Sequence, residues 1–240
     1  MNDTRTTAIV LAAGQGKRMQ SSIHKQYLLI HDKPVLYYSL KAFEDSLIND
    51  IILVVGKGEE DYCREEIIKK YGFDKVRAVV QGGKERYHSV ANGIRSINWQ
   101  CDYVFIHDGA RPFVNVQIIK RAYDEVKQFK ACVIGMPVKD TVKIADGNGF
   151  VAETPNRSHI WQIQTPQVFE TELITSAYER LLSEEEKMSA NGVIITDDAM
   201  VVEYFMDTPV RLVQGSYENI KITTPEDLKI AEIFLNKTKG

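Results

Sequence analysis

The residues best suited to chemistry lie near the amino terminus, where a glycine-rich stretch follows an apolar run. The run Thr6–Ala12 is followed by the letters AGQGKRM, which contain Gly14 and Gly16. Glycine allows backbone N–H groups to approach an anion closely, and a glycine-rich turn after a strand is where open α/β sheets bind phosphates. The spacing therefore indicates a phosphate-binding loop.

The same stretch is locally basic. Lys17 and Arg18 end the loop and Lys25 follows seven residues later, whereas no acidic residue occurs between Asp3 and Asp32. The whole chain has a formal net charge of −3, so this local excess of cations favours a polyphosphate ligand. A solvated basic stretch without a ligand is the alternative.

Two common phosphate loops fit this stretch poorly. A dinucleotide-binding GxGxxG loop has glycine where this chain has the bulky Met19. A GxxxxGK[ST] loop needs four residues between its glycines and a hydroxyl residue after lysine, but here one residue intervenes and Arg18 follows Lys17. What remains is a glycine loop followed by cations.

Acidic residues occur at two further places of interest. The block HDGARPF ends a strand-like run, so Asp108 should emerge at the ligand edge of a sheet. Arg86 could contact phosphate or cap its turn, and Arg111 could contact phosphate or brace its loop. Asp197 and Asp198 could hold a metal, but capping of the apolar helix that follows is an equal alternative.

Short apolar runs alternate with helical patterns along the first 138 residues. Continuous apolar runs are expected of parallel strands buried on both faces, and strands that alternate with helices indicate βαβ crossovers. The pattern predicts a three-layer α/β fold with a Rossmann-like, mainly parallel open sheet. The predicted strands are Thr6–Ala12, Asp50–Gly56, Val76–Gln81, Asp102–Asp108 and Ala131–Val138, and the predicted helices are Val35–Phe43, Glu59–Tyr71, Tyr87–Ser96 and Val116–Phe129.

Two segments interrupt this alternation. Residues 138–160 are polar and contain the turn sequence DGNG at Asp146–Gly149, which predicts a projecting β-hairpin arm. An isolated two-stranded hairpin is marginal in water, so we expect this arm to pack on another surface, with another subunit as the simplest candidate. Val210–Thr223 predicts two closely spaced strands before a last helix that begins at Pro225 with Thr224 as its N-cap. Residues 1–240 are read as one domain that carries the 138–160 arm.

Composition excludes several classes of protein. A 240-residue chain with 44% hydrophobic and 26% charged residues is globular, and its charge of −3 disfavours nucleic acid and anionic membranes as partners. The longest apolar runs are strand-sized, and the amino terminus lacks the pattern of a signal peptide. Three widely spaced cysteines suit buried thiols in a reducing compartment. We therefore expect a cytoplasmic protein.

Distinctive sequence blocks run along nearly the whole chain, from Ala8 to about Leu235. They read LAAGQGKRM, HKQYLLIHDKPVLYYSL, QGGKERYHSVANG, HDGARPF, VKDTVK, IWQIQTPQVF, ITDDAMVVE and NIKITTPEDL. Together these blocks resemble the 2-C-methyl-D-erythritol 4-phosphate cytidylyltransferases of the non-mevalonate isoprenoid pathway. One block would be weak support, but the blocks occur in the family's order.

The resemblance implies roles for individual residues. Arg18 and Lys25 match the pair that stabilises charge during catalysis. Nucleotide-binding positions match Ala12, Ala13, Gly14, Gly16, Gly82, Gly83, Ser89 and Asp108, and positions for the second substrate match Thr141, Arg157, Thr165, Thr196 and Lys221.

The reaction that the resemblance implies is attack of a sugar-phosphate oxygen on the α-phosphorus of CTP, with Mg²⁺ as cofactor and the arm reaching across a homodimer. The sequence departs from the family at His24, which stands where the family has proline. For Gly82 and Gly83, an ordinary strand-to-helix turn is the structural alternative. His88 suits packing better than catalysis.

Two other functions remain open from the sequence. A ribitol-5-phosphate cytidylyltransferase shares the fold, CTP and most motifs, although the Ala12–Gly14 stretch, the DTVK block and the TDDA block favour methylerythritol phosphate. A non-catalytic nucleotide-binding relative is the second alternative, and the intact cations Arg18, Lys25, Arg157 and Lys221 argue against it.

Overall fold

A central sheet organises the part of the chain that the computed structural model describes, namely residues 4–14, 16, 19 and 24–237. In this part the strands are β1 (Thr6–Ala12), β2 (Leu29–Ile30), β3 (Lys33–Pro34), β4 (Asp50–Val55), β5 (Val76–Gln81), β6 (Tyr103–Asp108), β7 (Ala131–Pro137), β8 (Ile144–Ala145), β9 (Val151–Glu153), β10 (Trp161–Glu170) and β11 (Arg211–Gln214).

Helices connect most of these strands. They are α1 (Val35–Glu44), α2 (Glu60–Tyr62) with its π-helical continuation Cys63–Lys69, α3 (Arg86–Arg95), α4 (Val116–Phe129), α5 (Thr171–Ser183), α6 (Glu185–Ala190), α7 (Asp198–Phe205) and α8 (Pro225–Lys237), with 3₁₀ turns at Lys25–Tyr27 and Arg157–His159.

The sheet of the described residues has seven strands in the order β11-β7-β10-β6-β1-β4-β5. Neighbours pair in parallel except β10, which runs antiparallel to both β6 and β7. Six of these strands therefore place their carboxyl ends at one edge. In open α/β sheets this edge is where ligands bind.

Helices cover both faces of the sheet. Side chains of β1 alternate, so that Ala8 and Val10 pack with α1 and α4 while Ile9 packs with α3, α5 and α7 on the other face. This alternation follows from the two-residue period of a strand. The three-layer α/β fold and the mainly parallel open sheet predicted from the sequence are confirmed.

Two elements near the carboxyl end differ from the prediction. The sequence pattern does not predict β10, because Gln and Pro residues interrupt its apolar run. The register of β10 against β7 also shifts between Ile163 and Gln167. The second strand predicted within Val210–Thr223 is wrong, since residues 219–223 form no strand. Asn219 instead donates from its side-chain amide to the Thr165 carbonyl at 3.0 Å, so a side-chain contact replaces ladder pairing. The last helix begins at Pro225 as predicted.

The 138–160 segment forms the predicted hairpin, with shorter strands than expected. β8 and β9 pair antiparallel on either side of the Asp146–Gly149 turn, where Gly149 has a φ of +86°. The arm continues outward from the paired ends of β7 and β10, and nearly all of its residues are exposed.

Two further sequence expectations concern cysteines and membranes. All three cysteines lie in the described residues and are free thiols, with Cys63 and Cys132 buried and Cys101 partly buried. Within the same residues, no helix combines the length and apolar character needed to cross a membrane.

Candidate active site

A cavity of about 490 Å³ opens at the carboxyl edge of the sheet, between the ends of β1, β5 and β6. It brings together residues that are far apart in the chain, and many of them are sites predicted from the sequence. Its lining includes Ala12, Ala13, Gly14, Gly16, Lys25, Gly83, Lys84, Arg86, Ser89, Asp108 and Lys221.

The loop after β1 and the Lys25 turn form one wall. Gly16 has a φ of +62°, and a Cβ added there would lie 3.2 Å from Lys25 Cγ, so glycine is suited both to the backbone and to the close approach of the lysine stem. Lys25 Nζ donates to the Ile222 carbonyl at 3.0 Å. Arg18, the other predicted catalytic residue, lies outside the described residues.

The opposite wall is the turn between β5 and α3. The Gly83 N–H donates to Ser89 Oγ at 3.0 Å, and the Gly82 N–H donates to the Val55 carbonyl at 2.7 Å. A Cβ on Gly82 would collide with Ala13, so the two walls touch only because Gly82 has no side chain. The pair thus makes a tight strand-to-helix turn, and Gly83 and Ser89 also face the cavity.

Asp108 lies at the floor of the cavity and is surrounded by cations. Its carboxylate lies 2.7 Å from Lys221 Nζ, 3.4 Å from Arg86 Nε and 3.8 Å from Arg111 Nε. Burial alone would raise the pKa of Asp108, but these three cations outweigh burial and hold that pKa well below its usual range. Asp108 therefore lies among three cations, one of which, Arg86, also pairs with Asp198. The remaining excess of positive charge is suited to an anionic ligand.

A chain of hydrogen bonds positions Thr165 beside Asp108. The Asp108 N–H donates to Thr165 Oγ1 at 3.1 Å, and Thr165 Oγ1 lies 3.0 Å from His107 Nδ1. His107 Nε2 faces the Arg111 carbonyl, which can only accept, so Nδ1 must accept the Thr165 proton. Burial lowers the pKa of His107 to about 3, and the imidazole is therefore neutral at physiological pH.

Arg86 makes a buried connection that the sequence did not reveal. Its guanidinium donates to both carboxylate oxygens of Asp198 at 2.8 Å, and Tyr178 donates to the same carboxylate at 2.6 Å. Asp197 caps α7 by accepting from the Met200 N–H at 2.9 Å. Asp197 thus caps a helix and Asp198 pairs with Arg86. The only sequence feature that pointed to this contact was the presence of two adjacent aspartates.

Three residues predicted for the second substrate lie away from this cavity. Thr141 and Arg157 are exposed on the arm, where Arg157 donates to the Lys139 carbonyl at 2.8 Å. Thr196 is exposed just before α7. Lys221 and Thr165 are the predicted second-substrate residues that this chain itself places at the cavity or against Asp108.

Metal-binding side chains do not cluster in the described part of the chain, where no group of three or more His, Cys, Asp or Glu could hold an ion. Asp108 and Glu85 are the acidic residues that line the cavity. A Mg²⁺ ion needs only one or two protein carboxylates when it also binds substrate phosphates.

The carboxyl edge of this open α/β sheet carries a glycine loop, the lysines Lys25 and Lys221, and the aspartate Asp108. This fold and this site are typical of a nucleotidyltransferase. Comparisons with known proteins narrow this class. The sequence profile of the 2-C-methyl-D-erythritol 4-phosphate cytidylyltransferase family matches residues 6–237, and the chain belongs to this family.

Individual relatives cover almost the full chain. The 2-C-methyl-D-erythritol 4-phosphate cytidylyltransferase of Lachnoclostridium phytofermentans is 55% identical over 233 residues, 97% of each chain. That of Caldanaerobacter subterraneus subsp. tengcongensis is 48% identical and covers 96% of this chain and 99% of its own. The crystal structure of 4-diphosphocytidyl-2C-methyl-D-erythritol synthase from Anaerococcus prevotii matches with a TM-score of 0.84 at 35% identity, covering 97% of this chain and 96% of that one.

Proposed function

We propose that this enzyme transfers CMP from CTP to 2-C-methyl-D-erythritol 4-phosphate, releasing pyrophosphate and 4-diphosphocytidyl-2-C-methyl-D-erythritol. The observation that carries the proposal is that the β1 loop, Lys25, the Gly82–Ser89 turn and Lys221 meet in one cavity. Membership of the cytidylyltransferase family supports the choice of CTP and methylerythritol phosphate over ribitol phosphate.

The nucleotide would bind between the two walls of the cavity. Backbone groups of Ala12, Ala13, Gly14 and Gly16 would surround the phosphates and ribose, since helix- and loop-borne N–H groups bind phosphate oxygens. The Gly82–Ser89 turn would contact the base edge. Ser89 already accepts from the Gly83 N–H, so this turn presents a fixed hydrogen-bonding edge.

The chemistry requires alignment and neutralisation of charge, not a general base. One oxygen of the sugar phosphate forms a bond to the α-phosphorus while the bond from that phosphorus to the pyrophosphate oxygen breaks. The nucleophile is already anionic, so no proton has to be removed. Lys25 and Arg18 would stabilise charge on the α-phosphate and leaving group. His107 is buried and hydrogen-bonded on both nitrogens, which fits a structural role.

The second substrate would be bound by two subunits. Lys221 and Thr165 would act from the chain that holds CTP, and Thr196, which is exposed just before α7, is assigned to this substrate by the family resemblance alone. Thr141 and Arg157 would come from the arm of the partner subunit. The exposed apolar side chains of the arm, Phe150 and Val151, which are 73% and 60% exposed, support a partner surface that covers them.

Mg²⁺ would be carried by the triphosphate, with Asp108 as a ligand either directly or through water. The arrangement fits because a lone carboxylate suffices for an ion that also holds phosphates and water. When bound, the ion neutralises negative charge on the phosphate oxygens. We also place the enzyme in the cytoplasm, which three free cysteines support, and expect neither nucleic acid nor membrane as a partner.

Pyrophosphate release separates the possible acceptors. Purified enzyme with CTP and Mg²⁺ should turn over with 2-C-methyl-D-erythritol 4-phosphate and not with ribitol 5-phosphate. Turnover with ribitol 5-phosphate alone would contradict the proposed acceptor while leaving the CTP site in place. Binding of CTP without turnover of either acceptor would instead indicate a non-catalytic relative.

A further inference from the structure

Lys25 sits on a turn of only three residues, Lys25–Tyr27, so its position depends on what holds that turn. One anchor is Gln26, whose buried side-chain amide donates to the Ala12 carbonyl at the end of β1 at 2.5 Å. This contact fixes the middle of the turn. The residues on either side of the Lys25-Gln26 pair contact a different residue, Glu59, which does not line the cavity.

The Glu59 carboxylate gathers three partners. Oε1 lies 2.5 Å from His24 Nδ1, while Oε2 accepts from Tyr27 OH at 2.8 Å and from the Gly56 N–H at 3.0 Å. The side chain of Glu59 is only 18% exposed. Hydrogen bonds to a largely buried carboxylate are stronger than those between neutral groups.

These contacts join the Lys25 turn to the sheet. Gly56 directly follows β4, and Val55 of β4 pairs with Ala12 of β1. Burial and the contacts with Cys63 and Glu59 raise the pKa of Tyr27, so its phenol keeps the proton that it donates to Glu59. The residues before and after the Lys25-Gln26 pair are therefore both tied to one carboxylate at the end of a central strand.

The contact of His24 with Glu59 takes the place of the backbone restraint that a proline would provide at this position. The φ of His24 is −61° and its ψ is 137°, an extended conformation that a proline ring would fix by itself. Histidine has no such covalent restraint on φ. Its side chain, 38% exposed, instead reaches Glu59.

We propose that His24 and Glu59 form a latch that holds the Lys25 turn in its working position, which makes both of them positioning residues for CMP transfer. The proposal rests on the proposed role of Lys25. Misplacing a reacting or charge-stabilising group by about 1 Å can slow catalysis by up to ~100-fold, so a partial loosening of the turn should lower kcat measurably. Binding of CTP through the β1 loop and the Gly82–Ser89 turn should change little.

Three variants test the latch. Glu59→Gln keeps the size but loses the charge, and we expect kcat to fall about tenfold while the KM for CTP changes less than about twofold. His24→Ala should lower kcat about fivefold, and His24→Pro should restore it to within about twofold of the wild type because proline presets the observed φ. Thermal unfolding of each variant shows whether it is folded.

A matched control is Glu65→Gln, which removes an exposed carboxylate paired with Lys69 on the same helical segment. It should leave kcat unchanged. Wild-type kcat in both His24→Ala and Glu59→Gln, alongside an inactive Lys25→Ala, would overturn the latch and leave the proposed function standing. Full activity of Lys25→Ala would instead overturn the role of Lys25. If Glu59→Gln fails to fold, the His24 pair decides, and a failure of proline to restore kcat contradicts the latch.

Discussion

Lys25 lines the cavity with its stem against Gly16 and its ammonium on the Ile222 carbonyl. At the scale of single residues it is the described side chain on which the proposed charge neutralisation depends most. Lys25→Ala should lower kcat by at least ~100-fold, as removal of one transition-state charge contact does. The measurement is steady-state pyrophosphate release. Lys69→Ala, an exposed lysine on a helical surface, is the matched control and should retain wild-type kcat.

His107 gives a residue-scale prediction for the dependence of stability on pH. Burial lowers its pKa to about 3, whereas an unfolded chain titrates histidine near ~6.5. Below pH ~6.5 the unfolded state takes up a proton that the folded state refuses, so stability falls as the pH falls. From pH 7 to pH 5 this one group should lower the free energy of unfolding by about 2 kcal/mol.

The variant His107→Asn removes that titration, whatever its stability at pH 7. Its free energy of unfolding, measured by urea at pH 7 and pH 5, should change by about 2 kcal/mol less than that of the wild type. His159→Asn, on the exposed arm, serves as control. Equal changes in the wild type and His107→Asn would show that His107 is not buried as a neutral imidazole.

The positions of single residues at strand ends could be predicted from the sequence, but their hydrogen-bond and ion-pair partners could not. The carboxyl end of a buried strand predicts where Asp108 emerges, and glycine with nearby cations predicts the position of the β1 loop. The contacts Arg86–Asp198 and Glu59–His24 join residues that are 112 and 35 positions apart. Sequence spacing carries no information about such pairs, since they depend on how the helices and loops pack on the sheet.

At the scale of elements, Arg86 links the start of α3 to the start of α7. Asp198 is fully buried, and its carboxylate accepts two guanidinium hydrogen bonds and one from Tyr178. Removing one partner of a buried ion pair costs about 3–5 kcal/mol because the remaining charge loses its counter-ion. Arg86→Ala should lose stability of this order in denaturant unfolding.

The matched control is Arg77→Ala, which removes an arginine that is 46% exposed, pairs with Asp50 and lies over the Trp99 ring. It should cost no more than about 1–2 kcal/mol, because Asp50 keeps its ion pair with Arg5. Similar losses for the two variants would contradict the account of Arg86 as a buried link.

The predictable elements are those with a strong period. α4 coincides with the predicted bounds Val116–Phe129 because its apolar residues recur at helical spacing. β10 was missed because its middle, Gln164–Pro166, leaves the regular ladder and serves the site instead. There Thr165 accepts from Asp108 and Gln164 donates to the Ser216 carbonyl at 2.7 Å. Residues that make specific side-chain contacts at the functional edge weaken the pattern from which strands are recognised.

At the scale of the whole molecule, the arm places Thr141 and Arg157 outside the cavity of their own chain. If each arm completes the partner's site, two inactive variants should complement one another. Lys25→Ala and Arg157→Ala dimers, mixed under exchange at low sugar-phosphate concentration, should recover about a quarter of wild-type activity, because half the dimers are mixed and each holds one intact site.

Analytical ultracentrifugation and the kinetics of Arg157→Ala accompany this mixing experiment. The wild type should sediment as a dimer, and Arg157→Ala should raise the KM for the sugar phosphate far more than that for CTP. A fully active monomer, or no recovery after demonstrated subunit exchange, would contradict the shared site.

The most direct test of the account follows the phosphorus atoms of the reaction by NMR. Wild-type enzyme with CTP, Mg²⁺ and 2-C-methyl-D-erythritol 4-phosphate should convert the triphosphate signals into those of a diphosphate diester and pyrophosphate in equal amounts. Lys25→Ala should leave CTP intact over the same time. Release of inorganic phosphate without the diester, or no change with folded wild-type enzyme, would contradict the assignment of this cavity as a site of CMP transfer.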